Sequence, residues 1–583
     1  MQEYNNDNLY HSQSQICLMT EKKQKWNIHH KYVMEIFKNQ TEDYVYDFRQ
    51  VCYLILSNDV GIFKYAYNGQ FIRIDKQMES NQVILKNLQQ LKNLTWKRIV
   101  GSKNKKLEFL VAYWKGKKLN IGGYYTEDGL KNGIWREISE NYWDQQKMIN
   151  IGNYNQGKKF GKWNTKYKIQ NDIQNITIEG GHYNQNGLKT GKWIDFNNNF
   201  FKFCQVHYQG EYNKNKKQGI WNILFQCNQS NMYKINGGGM YDENGQKKGK
   251  WIEIFDNFHN YCQVIEIGQY IEGKKIGKWI ILERFRSDLD FQIIGGGIYD
   301  FDGIKNGYWI DLKENYWQDN KVLYIGFYKE GKKYGKWNIK FQLEVNYSYV
   351  SIGGGHYNER GLKQGKWIDL HENFYKECQV LLVGEYKDGV KIGCWEFQYE
   401  IWTDFHIIGC GIYFENNLKH GKWIDLHENF YSNCLVVQAG EYQQGKRQGC
   451  WESFHTYSPK IEYKKIGGGD YDQNGMKNGQ WIDLHDKFWR HCQVLYTGLF
   501  FAGTKQGKWI TSLRSDIQGT LKQVGGGNYN EKGQKIGEWI EITEQFQECE
   551  QEIIKCKYDQ GIKLRKISRQ NICENYYNNI FFD

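Results

Sequence analysis

Tyr125, Tyr183, Tyr241, Tyr299, Tyr357, Tyr413, Tyr471 and Tyr529 recur every 58 residues, with one interval of 56. A second series, Tyr154, Tyr212, Tyr270, Tyr328, Tyr386, Tyr442, Phe500 and Tyr558, follows each member of the first by 29 residues. Tryptophan keeps the same beat: Trp135, Trp193, Trp251, Trp309, Trp367, Trp423, Trp481 and Trp539 come ten residues after the first tyrosines. Trp163, Trp221, Trp279, Trp337, Trp395, Trp451 and Trp509 come nine after the second series. The unit is therefore two related halves. A fixed period of this length means an array, in which each unit buries its apolar face only against its neighbours.

Composition says what the array is made of. There is one proline, Pro459, in 583 residues, against 62 glycines. Proline deletes a ladder donor and glycine opens tight turns, so this balance fits a chain built almost wholly of paired strands. Mean hydropathy is low, at -0.78, but aromatic residues make up 16% of the chain. Rings of that size supply the apolar surface that the hydropathy value conceals.

Residues 352 to 401 show how one unit reads. GGGHY is a strand, NERG a turn and KWIDL the returning strand, with Gly361 and Gly365 where a tight hairpin needs positive φ. HENFYKE connects to VLLVGEY, the turn KDGVK and CWEFQYEI, a second hairpin. In VLLVGEY, Val380, Leu382, Gly384 and Tyr386 share one face, and Leu381, Val383 and Glu385 share the other. Each unit thus predicts four strands. The glycine two residues before each tyrosine leaves room for a ring from an adjacent strand, which predicts a continuous Tyr/Trp ladder.

The repeated GxYxxGKKxGKW pattern resembles the MORN (membrane occupation and recognition nexus) repeat and the related bacterial YwqK-type repeats, over about three quarters of the chain. The resemblance implies a single-layer sheet of tandem antiparallel hairpins. It also implies a non-catalytic scaffold for protein partners in cytoskeletal, ciliary or membrane-junction assemblies. The 29-residue half is longer than the usual MORN period, and the 58-residue alternation is an added feature. The fold expected is all-β, an elongated antiparallel sheet with a small mixed N-terminal cap. Eight units of four strands also permit an eight-bladed β-propeller.

The domain reading is as follows: 1–20 disordered, 21–121 a cap, 122–561 the array of eight units, and 562–583 a C-terminal cap. Within the first cap, residues 45–76 read as strands. Leu85, Leu88, Leu91 and Leu94 predict an amphipathic helix through VILKNLQQLKNLTW.

In a meander the turns after strands one and three share an edge. That edge is expected to carry Lys158, Lys159, Lys216, Lys217, Lys274, Lys275, Lys332, Lys333, Lys446 and Arg447, with Lys189, Lys247, Lys248, Lys305, Lys363 and Lys477 from the first hairpins. The net charge of +12 agrees with an anionic surface or filament as partner. The opposite edge carries ENYWDQ, DNFHNY, HENFYKE and HDKFWR, read as acidic, histidine and exposed aromatic residues.

Chemistry finds little support. Equivalent positions in successive units are expected four strands, roughly 19 Å, apart, so Cys378, Cys434 and Cys492 cannot pair. The same spacing separates His371, His427 and His485. Cys394 and Cys410 are the cysteines best able to approach. No CxxC pair or HExxH occurs, and GKKIGKW lacks the order of a phosphate loop, so no metal or cofactor is expected. Asp311, Asp369, Asp425 and Asp483, with Glu314, Glu372 and Glu428, recur along the chain, which suits salt bridges better than a single catalytic centre.

The expectation is a non-enzymatic protein-binding scaffold, cytoplasmic because no export signal or spanning segment is read. Two alternatives come from the same residues: a peripheral membrane module holding anionic lipids on its lysine edge, and glycan or nucleic-acid binding on the aromatic ladder. Nucleic acid is the least expected of these partners.

Overall fold

The computed structural model describes residues 26–38, 46–58, 62–67, 70–76 and 88–572, less 101–107, 169–175, 227–233, 515–519 and a few shorter stretches. The expected disorder of 1–20 lies outside the described residues.

Among the described residues there are two antiparallel sheets. The first has four strands in chain order, Trp26–Lys38, Tyr46–Asn58, Ile62–Tyr67 and Gln70–Lys76. Three of these were legible in the sequence. Trp26–Lys38 was missed, although it pairs with Tyr46–Asn58 over its whole length.

The second sheet runs from Leu94–Val100 to Ile562–Asn571 and holds 34 strands, each paired with the next in chain order. Among the described residues no ladder joins its first and last strands, so the sheet is open. The propeller alternative fails on one observation: ladders continue without break across unit boundaries. The last strand of one unit, Lys332–Gln342, pairs with the first of the next, Val350–Tyr357, from Gly335↔Tyr357 to Phe341↔Val350. Blades of a propeller would not be joined in this way. The sheet also extends on both sides of residues 122–561.

The amphipathic helix ends earlier than expected. Among the described residues it covers Leu88–Asn93, and Leu94 already begins a strand. LTWKRIV carries three β-branched residues and a tryptophan, and its pairing with Glu108–Trp114 overrides the leucine spacing at that end. Leu91 and Leu94 are buried. Residues 77–87 lie outside the described residues. Gln90 Nε2 donates to Tyr142 O at 3.1 Å, fixing the helix to the first unit's connection.

Turn chemistry follows the sequence closely. Asp388 and Gly389 both have positive φ, 50° and 83°, which is the two-residue turn whose twist matches a hairpin. In the first hairpin, Asn358 Oδ1 accepts from Arg360 N and Leu362 N, both at 3.0 Å. The GGG segments have distinct roles. A Cβ on Gly354 would lie 2.1 Å from Trp337 O, and one on Gly355 would lie 2.3 Å from Trp367 Cδ2. The middle glycine admits backbone, the third admits a ring.

Candidate interaction surfaces

The rings form one unbroken ladder from Tyr125 to Tyr558, alternating Tyr or Phe with Trp on successive strands. Neighbouring rings meet edge to face, with centroids 4.9 to 6.4 Å apart. That geometry places the positive edge of one ring against the negative face of the next. Every repeat tryptophan is 0 to 5% exposed. A glycine backbone lies against each indole, as Gly384 does against Trp395. The tryptophans are therefore core, and leave no open indole face on which a sugar or base could stack.

The lysine edge divides in two. Lys158, Lys216, Lys274, Lys332 and Lys446 are exposed at the turn tips. Lys159, Lys217, Lys275, Lys333 and Arg447 are not: each folds inward over the indole four residues on, at 4.0 to 4.3 Å from the ring centroid. The first-hairpin lysines Lys189, Lys247, Lys305, Lys363 and Lys477 do the same, at 4.3 to 4.8 Å, while Lys248 is exposed. Ten of the sixteen residues of the expected basic edge are thus inside the ladder. The signal was the four-residue spacing from lysine to tryptophan in KxGxW, which places both on one face of a bulged strand.

The inward lysines meet the repeated carboxylates. Lys363 Nζ lies 2.6 Å from Asp369, Lys419 lies 2.6 Å from Asp425, and Lys305 lies 2.6 Å from Asp311. A tyrosine from the third strand completes each set: Tyr386 donates to Asp369 at 2.7 Å and Tyr442 to Asp425 at 2.6 Å. Burial opposes charge on these acids, but the neighbouring cations outweigh it, and Glu137, Glu253, Asp425 and Glu541 are held below the usual carboxylate range. The aspartates read as possible acid–base groups are thus structural ion pairs in the ladder.

Lys333, like Lys217, differs from these. Among the described residues it has no carboxylate partner, and its ammonium lies 4.3, 4.9 and 5.7 Å from the rings of Trp337, Tyr324 and Tyr357. Burial pushes its pKa down to about 8. It lines a cavity of about 270 Å³ with Trp279, Trp309, Tyr299 and Tyr324.

The other edge is not an exposed aromatic rail. One aromatic of each connection is buried, at 0 to 4% exposure: Tyr142, Phe200, Phe258, Tyr316, Phe374, Phe430, Phe488 and Phe546. Phe374 packs on Phe341 of the preceding unit, with centroids 5.1 Å apart. The connections also touch one another, against the expected separation of four strands. Lys376 N donates to Asp319 O at 2.7 Å, and Ser432 N to Glu377 O at 2.8 Å. Each connection is long enough to cross the intervening strands and reach the next. In the same row Cys204 Sγ donates to Phe258 O at 3.0 Å and Cys262 Sγ to Tyr316 O at 3.1 Å.

Cys204, Cys262, Cys378, Cys394, Cys410, Cys434, Cys450, Cys492 and Cys556 are free thiols. Cys394 and Cys410 lie on neighbouring strands, opposite Ile412 and Glu396 respectively. Among the described residues no group of three His, Cys, Asp or Glu side chains is placed to hold a metal. No helix among them is long and apolar enough to cross a membrane.

No family model matches the chain, and no curated protein matches it. Solved structures that align with it include the NanB sialidase from Streptococcus pneumoniae, as a point mutant at 10% identity and in complex with a chlorobenzylammonio-ethanesulfonate at 9%. Both alignments cover 91% of this chain and 85% of the sialidase, with a TM-score of 0.18. A score that low carries no argument about fold or activity.

Proposed function

We propose that the chain is a non-enzymatic scaffold that holds protein partners along its sheet. The observation that carries this reading is the internal use of the repeated chemistry. In the units centred on Asp311, Asp369 and Asp425, the lysine, the carboxylate and the tyrosine hydroxyl satisfy one another inside the ladder. What is left to the outside is a periodic surface of turn tips and strand residues. A surface repeated along an array suits extended recognition better than a single reaction centre. A cytoskeletal or ciliary setting rests on the MORN-like residue pattern alone.

The test is proximity labelling from the full chain in its native cells, followed by reconstitution with the purified partner. Direct, saturable binding of a protein filament or assembly subunit supports the scaffold. If the purified chain instead binds only vesicles rich in phosphatidylserine, the lysine-edge membrane reading replaces it. The exposed Lys216, Lys274 and Lys332 are the residues that such binding would use.

A further inference from the structure

The solvent face of the long sheet carries a second period that its core does not require. In GxW and GxY segments the middle residue points away from the ring ladder, because alternate strand residues face opposite sides. Packing forces the glycines, tryptophans and tyrosines to repeat every half-unit. It places no such demand on the exposed residue between them.

That residue nevertheless repeats, every three half-units. In the GxW position Ile134 is followed by Lys162 and Lys192. Ile220 is then followed by Lys250 and Lys278, and Tyr308 by Lys336 and Lys366. Cys394 and Lys422 open a fourth round, which Cys450 breaks. The intervening strands follow it in two of the three rounds, Asn153 standing opposite Ile134 in the first. Ile220 stands opposite Met240, and Tyr308 opposite Phe327, with ring centroids 5.4 Å apart. Between the paired lysines lie His182, Gln269 and His356.

These side chains are open to solvent. Ile134, Ile220, Met240, Tyr308 and Phe327 are 50 to 71% exposed. The six lysines are exposed as well; Lys162 pairs with Glu179 at 2.5 Å, and Glu211 and Glu385 stand directly opposite Lys192 and Lys366, which leaves the second and third lysine pairs with a net positive charge. Six strands at about 4.8 Å set the repeat at roughly 29 Å. Isolated exposed apolar residues need no explanation, but patches at a fixed interval, each separated from the next by a lysine pair, do.

We infer that this face docks an elongated acidic protein partner whose surface alternates apolar and acidic groups about every 29 Å, the interval of six strands. The inference rests on the scaffold reading and deepens it. A second copy of this chain laid face to face does not fit: matched apolar patches would oppose lysine pairs to lysine pairs. A membrane has no repeat to match.

Co-sedimentation of the full-length chain with two acidic protein filaments, stabilised microtubules and actin filaments, tests it. One variant exchanges the phase and keeps the composition: Ile220→Lys, Lys250→Ile, Tyr308→Lys and Lys336→Tyr. A second, Lys216→Glu, Lys274→Glu and Lys332→Glu, alters only the turn edge. The expected result is that the native chain pellets with at least one filament, and that the phase variant binds about tenfold more weakly at unchanged melting temperature. The edge variant should stay within about twofold of the native chain.

Equal pelleting of the phase variant overturns the inference and leaves the scaffold reading standing. A native chain that pellets with neither filament also overturns the inference. Capture of that chain by phosphatidylserine vesicles would then remove the scaffold reading as well, and absence of capture would leave it.

Discussion

Phe500 stands where a hydroxyl would reach Asp483. In seven other units a tyrosine seventeen residues after the carboxylate donates to it, as Tyr442 does to Asp425 at 2.6 Å and Tyr154 to Glu137 at 2.8 Å. Phe500 keeps the ring in the ladder, at 6.0 Å from Trp481, and leaves Asp483 with Lys477 at 2.5 Å.

Phe500→Tyr should therefore stabilise the chain. A hydrogen bond to a charged acceptor contributes about 1.5 to 3 kcal/mol before the hydroxyl's own desolvation, so a net gain of about 1 kcal/mol is expected. The mirror change, Tyr386→Phe, should cost a similar amount. Denaturant melts of both variants check this, and destabilisation by Phe500→Tyr would contradict the network.

Lysines of successive hairpins should behave differently. Lys332→Ala removes an exposed tip and should change stability by less than about 0.5 kcal/mol. Lys363→Ala takes away the cation 2.6 Å from Asp369, leaving a mostly buried carboxylate with a tyrosine hydroxyl, and should cost about 2 to 4 kcal/mol. Equal effects of the two changes would show that the inward lysines are not integral to the ladder.

Glycines should separate by what they admit. In Gly384→Ala the new Cβ would lie 2.3 Å from Trp395 Cδ2, so the ring must move, at about 1 to 3 kcal/mol. Gly365 has φ of 70° and nothing within 4 Å of a Cβ, so alanine there costs about 1 kcal/mol of backbone strain only. Gly365→Asn should recover most of it, because asparagine tolerates this region, whereas Gly384→Asn should not fold.

Acid should weaken the fold in two stages. Burial pushes His207, His259, His427 and His455 down to about 4. A histidine depressed in the folded state contributes full stability above its ordinary pKa of about 6.5 and loses it as pH falls toward 4, because the unfolded chain takes the proton first. Glu137, Glu253, Asp425 and Glu541 are also depressed, so their contribution persists above about 4 and is lost below it. Melting temperatures from pH 8 to 3.5 should fall between 6.5 and 4 and then again. His455→Gln should flatten the first stage, and a flat profile there would refute the assignment.

Much of this was legible in the sequence, for a physical reason. Local rules set a period-two strand, a two-residue turn at Asp388 and Gly389, and a glycine under every tryptophan, and repetition shows them many times over. The limits appeared where contacts are distant. Lys332 and Lys333 are adjacent in sequence, yet one faces water and the other lies in a cage of three rings. Phe374 reads as a loop aromatic, yet it packs on Phe341 of the unit before.

By itself, then, the sequence determined the four-stranded unit and its repetition, because both follow from neighbours within some thirty residues. Only the tertiary structure decided that the sheet stays open, that its connections cover the preceding unit, and which lysines face solvent. Those outcomes depend on bulges, on the reach of the connections and on where a ring from another strand falls, and none of these is encoded in the spacing of any one segment.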